Sequence, residues 1–170
     1  MKIKGLLFMS LIVLAIVLSA SAVSAGWFDG GVEIDGMKFN VPSGYDEGKT
    51  DDYSVQNYMQ NDANDYKNYK VETKVFEMDT PDPEHPGMAV YPHYLVISVI
   101  SDSKDLSLDD VINRSDYQQK TINNKAGLEK ISDTSNNKKI EEFYYLEDGK
   151  LVKIYLYDPE GTGIENIIVK

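Results

Sequence analysis

His85 and His93 are the chain's two histidines, eight residues apart, with Asp79, Asp82 and Glu84 just ahead of them. Imidazole nitrogens and carboxylate oxygens are the donors a zinc ion takes, so metal chemistry would be sought here first. The stretch from Glu77 to His93 also holds four of the six prolines. Pro83, Pro86 and Pro92 forbid a regular helix on which closely spaced histidines would share a face. A site there would need further ligands from elsewhere, and the simpler expectation is a long surface loop. No metal ligand is assigned on this pattern.

The acidic segments invite calcium instead. "DANDYKNYKVET", from Asp62, has acids and amides at suggestive places. It lacks the glycine at position six and the glutamate at position twelve that an EF-hand loop requires. "DSKDLSLDD" (102–110) lacks the glycine too, and its end reads better as a helix start. Hydrolytic chemistry has little to build on. There is no Gly-x-Ser-x-Gly turn, and only two histidines could serve as a base. A carboxylate pair for glycoside hydrolysis is available in number alone, with the single Trp27 a poor sugar platform. No phosphate loop and no Gly-x-Gly-x-x-Gly fingerprint occurs. No catalytic residue and no cofactor is assigned, and no binding residue is singled out.

Charge excludes one class of partner. The formal net charge is −11, and Arg114 is the one arginine. Such a chain repels nucleic acid and lacks the guanidinium forks that grip phosphates. "NRS" at Asn113 is a glycosylation sequon that matters only if that position is exposed.

The elements that must position any site begin after an unusual start. "MKIKG" is basic, "LLFMSLIVLAIVL" is a continuous apolar run and "SASAVSA" ends in small residues. That order predicts a signal peptide over residues 1–25, removed after Ala25. The alternative is a retained N-terminal membrane anchor with Trp27 and Phe28 at the interface. Removing residues 1–25 takes away Lys2 and Lys4 and no acid, which moves the charge from −11 to −13. The absence of cysteine leaves residues 26–170 to fold without disulfides, as a single globular domain large enough to bury its own core.

Beyond Gly31 the chain reads as strands and tight turns. Asp35-Gly36, Asn123-Asn124 and Asp148-Gly149 each stand between alternating apolar runs, the pattern of two-residue hairpins. "YKVETKVFEM" (69–78) alternates, and "YLVISVI" (94–100) is a continuous apolar run expected to be a central strand covered on both faces. Residues 51–68 stay undecided: Val55, Tyr58 and Met59 could share one side of a helix turn, while the Asn and Asp content argues for a loop. "SLDDVINR" (107–114) predicts a short helix capped by Ser107. "TGIENIIVK" predicts a C-terminal helix near 163–169, with Thr162 and Glu165 at capping-box spacing. The expected class is α+β: a largely antiparallel twisted sheet of about six to seven strands, with those two helices.

The last hairpin can be read residue by residue. A loop of Asp148 and Gly149 pairs Glu147 with Lys150, Tyr145 with Val152 and Phe143 with Ile154. Those last two pairs and Leu156 form a lysine-free face, expected to be the core. Tyr144, Leu146, Leu151, Lys153, Tyr155 and Tyr157 form the other. On this reading either the terminal helix lays Ile164, Ile167 and Ile168 over part of the tyrosine face or that face is a partner site, and Lys153→Asp costs little.

"MKFNVPSGY", "QKTINNKAGL" and "FYYLEDGKLVKIYLYD" with the short amphipathic end resemble a group of small exported domains of methanogenic archaea. The order of elements is more distantly similar to PsbP-like proteins, in which helices flank an antiparallel sheet. The likeness runs in order from 32 to 170 and is weakest over 46–92. It implies an accessory or binding protein and transfers no functional residue. The expectation is an exported, extracellular or cell-surface, non-catalytic binding or accessory module, monomeric, with a protein or cell-surface partner. The alternative is a divalent-cation-binding protein or metal-dependent hydrolase.

Overall fold

A computed structural model describes residues 28–48, 53–78, 93–102, 106–109, 116–133, 139–157 and 163–170. Strands dominate them. β1 (Phe28–Ile34) and β2 (Met37–Pro42) form a separate two-stranded hairpin. The main sheet has seven antiparallel strands: β3 (Asp46–Glu47), β4 (Lys70–Met78), β5 (His93–Ser101), β6 (Gln118–Ile122), β7 (Lys125–Asp133), β8 (Lys139–Glu147) and β9 (Lys150–Tyr157). Their spatial order is β3-β4-β5-β9-β8-β7-β6. The three predicted turns are all present. Both residues of each have positive φ: 46° and 78° at Asp35-Gly36, 47° and 67° at Asn123-Asn124, 51° and 73° at Asp148-Gly149. Two successive left-handed residues match the turn to the right-handed twist of its strands, which is why Asn, Asp and Gly stand there. β5 is buried at every position.

The fold is mostly β, not α+β with a C-terminal helix. After Gly163 there is a single 3-10 turn, Ile164–Asn166, and Ile168 then bridges to Phe39 of β2. So short a segment gains little from a helical nucleus. Its backbone is satisfied by β2 instead, Asn40 N donating to Ile167 O at 2.8 Å. Thr162, expected to cap a helix, lies outside the described residues, and Gly163 occupies the N-cap of the 3-10 turn with no side-chain hydrogen bond. The other predicted helix, 107–114, lies mostly outside the described residues. A 13-residue helix does form where the composition argued for a loop, α1 (Tyr53–Asp65). Met59 packs against Val75, Tyr94 and Val96 of the sheet, and that tertiary contact outweighs the weak helical preference of Asn and Asp.

The sheet thus has two covered faces. On one, Phe143, Tyr145, Val152, Ile154 and Leu156 join Phe76, Leu95 and Ile97 beneath the β1–β2 hairpin and the terminal turn. The register agrees with the sequence: Glu147 opposite Lys150, Tyr145 opposite Val152, Phe143 opposite Ile154. Ile164, Ile167 and Ile168 belong to this lysine-free core, not to the tyrosine face. On the other face Leu128, Tyr144 and Leu151 meet Tyr66, Tyr69, Leu106, Leu108 and Tyr117.

One ionic knot fastens the small hairpin to the main sheet. The Asp35 carboxylate accepts from Lys70 Nζ and Ser101 Oγ and lies 3.0 Å from Lys150 Nζ, which also donates to the Asp35 carbonyl. Hydrogen bonds from Lys70, then Ser101, then Lys150 hold the Asp35 carboxyl far below the usual carboxylate range. A depressed carboxyl adds stability above its unfolded value near 3.9, and that stability is lost as pH falls toward the folded value. Asp35→Asn is therefore expected to be less stable than wild type at pH 6 and to lose less between pH 5 and pH 2.5. Urea midpoints across that range test this, and parallel acid limbs for the two proteins would remove Asp35 as their cause.

Candidate functional site

Of the residues singled out for metal chemistry, one can be placed. His93 opens β5, opposite Met78, and is 2 % exposed. His85, Asp79, Asp82 and Glu84 lie outside the described residues. Among the described residues no three or more His, Asp or Glu side chains gather closely enough to hold a metal ion. The segment from Asp62 runs through the end of α1 into β4, so it is helix, turn and strand rather than a coordinating loop.

The tyrosine face is spent on internal packing. Lys153 is 4 % exposed, with its ammonium 5.1 Å from the ring centroids of both Tyr66 and Tyr144. Facing aromatic rings stabilise a cation that has left water. Tyr144 and Tyr117 donate to Glu142 Oε2 at 2.8 and 2.9 Å. Their rings meet edge to face, with centroids 5.2 Å apart. Neither the segment after α1 nor Tyr117 figured in the sequence reading as a cover, because both come from polar stretches with no clear period.

An open feature lies beside that face, at the sheet margin. β6 is the last strand of the sheet, and Gln118–Thr121 are all exposed. A cleft of about 460 Å³ runs along it. Leu108, Ala126 and Leu128 give it an apolar floor, Asp109, Gln119, Lys120 and Thr121 are its polar residues, and Gly127 completes the lining. The backbone explains this arrangement. Ile122 and Lys125 flank the Asn123-Asn124 turn as a pair, and the flanking pair of a two-residue hairpin exchanges both its hydrogen bonds. Alternation then turns the N–H and C=O of Lys120 and Gln118 inward to β7. Those of Gln119 and Thr121 point away from β7, on the side where no described strand pairs with β6. The side chains of these same two residues line the cleft.

The reverse side of the margin is charged and tied up. Lys120, which borders the cleft, has its Nζ ion-paired to Glu129, drawing the ammonium toward β7. Nearby, burial pushes the Glu141 carboxyl above its usual range, while a hydrogen bond from Ile164 N at 3.2 Å acts in the opposite direction. Asn123 locks the turn to the chain's end, donating from Nδ2 to Glu165 O at 2.6 Å and Ile168 O at 2.9 Å. The cleft's supporting strands are held on both sides.

Gly127 sets the depth of this margin. A Cβ there would strike the Tyr144 carbonyl and come within 2.7 Å of the Phe143 ring. Backbone cannot yield as a flexible side chain does, so β7 and β8 would have to separate. Gly127→Ala is expected to destabilise by about 2–3 kcal/mol, toward the upper end for overpacking. Thermal melts read this directly, and an unchanged melting temperature would mean that the strands have room to spare. Of the cleft itself the sequence displayed only the Asn-Asn turn and a polar strand carrying a lysine, which are marks of an edge.

No protein-family model matches the chain, nor does any curated protein or solved structure.

Proposed function

We propose that this protein is a non-catalytic binding module working outside the cytoplasm, and that it binds through the cleft along β6. The observation that supports this is the cleft's make-up. An apolar floor with a few placed polar groups, in a volume of about 460 Å³, is the usual composition of a recognition pocket. The basic, apolar and small-residue order of residues 1–25 supports the placement outside the cytoplasm. Among the described residues, Asp35 fastens a hairpin, and Glu129 and Glu142 fix neighbouring strands and rings.

A fragment screen followed by amide chemical-shift mapping tests the reading. Binders are expected to shift Gln119, Thr121, Ala126 and Leu128 together, to bind equally well in EDTA, and to be recovered chemically intact. Binders that gather elsewhere, or that emerge cleaved, would overturn it.

A further inference from the structure

We infer that the β6 edge recognises an extended basic segment of another polypeptide, which adds to the sheet as an eighth strand. This rests on the reading of the cleft as a binding site and goes on to name its occupant. The outward N–H and C=O groups of Gln119 and Thr121 offer an added strand its main-chain hydrogen bonds. The side chains of the same residues open the cleft beside it, so an incoming strand on those groups has every second side chain directed there. Backbone pairing supplies affinity and the cleft supplies selection.

Charge decides which segment fits. Asp109 is exposed at the cleft and makes no ion pair among the described residues. Lys120 borders the cleft, but its ammonium is ion-paired to Glu129, which offsets its repulsion of a cation. The whole chain carries a net charge of −11, a field that draws a basic segment and opposes a second copy of itself. A lysine or arginine at the cleft position lays its apolar stem over Leu108 and Leu128 and brings its charge to Asp109.

The test uses a positional-scanning library of heptapeptides, enriched on the full-length protein. Lysine or arginine is expected at one position, with β-branched residues beside it. N-methylating the peptide amides that face β6 should weaken binding at least tenfold, while N-methylation at alternate amides should change it less than threefold. Thr121→Pro removes an outward N–H without touching the ladder to β7, and it should weaken binding at least tenfold with the melting temperature held. Asp109→Asn should cut the preference for the basic residue about fivefold. Enriched peptides that occupy the cleft but ignore N-methylation and Thr121→Pro would overturn strand addition and leave the binding-module reading standing. Enrichment of acidic or neutral residues at the cleft position would overturn the charge assignment. Self-association through β6, seen by sedimentation and abolished by Thr121→Pro, would overturn the occupant in favour of a second copy. A library with no enrichment, together with fragments that avoid the cleft, would overturn both proposals.

Discussion

Ile154→Asp is expected to leave no folded protein at 25 °C. Ile154 is fully buried in β9, with Phe143 on one flank and Ile97 on the other. Losing the aliphatic side chain costs about 2–5 kcal/mol. An aspartate then stands in a core that offers its carboxylate no partner, for several kcal/mol more. The sum reaches the whole stability of a domain, about 5–15 kcal/mol. Far-ultraviolet dichroism and urea titration would read this, and a cooperative transition near the wild-type midpoint would refute the register. Lys153, one residue earlier, looks expendable on the sequence because lysine marks a wet face. Its burial between Tyr66 and Tyr144 changes that expectation. Lys153→Asp is expected to lose more than about 2 kcal/mol, since it empties a packed site and reverses its charge. Lys153→Met keeps the stem and should lose less than Lys153→Asp, the attraction to the rings being worth about 1–2 kcal/mol.

Removing residues 159–170 is expected to have the second largest effect. Ile164 and Ile167 are fully buried and Ile168 is 2 % exposed. Each contributes about 1.5–3 kcal/mol by leaving water. The deletion also takes away the acceptors of Asn40 N and of Asn123 Nδ2. The truncated protein should bind a hydrophobic dye and melt far below wild type. Hydrogen exchange can say which face opens. Amides of Phe39–Val41 and Ile122 should lose protection, while those of α1 keep theirs. Loss of protection in α1 with β2 unaffected would return the terminal isoleucines to the tyrosine face.

What could be read from the residues followed the range of the forces involved. The three turns were legible because Asp-Gly and Asn-Asn relieve a local backbone demand. The register of β8 on β9 follows from the turn and from side-chain alternation, and β5 from its unbroken apolar run. The helical expectation at 163–169 rested on capping and spacing, which weigh little over a handful of residues. At 163–169 the nearby β2 offers backbone partners that a lone turn of helix cannot match. At 53–65 the reverse holds, because a polar stretch becomes helical through what Met59 can reach across the chain. The cleft was illegible for a related reason: Leu108 and Asp109 meet Gln119 and Thr121 only in the folded state. The short motifs behind the likeness to PsbP-like domains are turn and strand signals, so they carry no information about the cleft.

The contact between β2 and the terminal turn has a consequence in time. β6 to β9 form a meander in which each strand pairs with the next in sequence, so these contacts can assemble early and locally. Asn40 and Asn166, by contrast, are 126 positions apart, and closing so long a loop is slow. A nascent chain holds β2 for 126 residues of synthesis before Asn166 reaches it. Until then Phe39 and the Phe143–Ile154 face lack part of their cover. A chain stalled before Ile164 should be the most protease-sensitive and aggregation-prone species this protein passes through, and a holding chaperone would find its apolar face rather than an unfolded end.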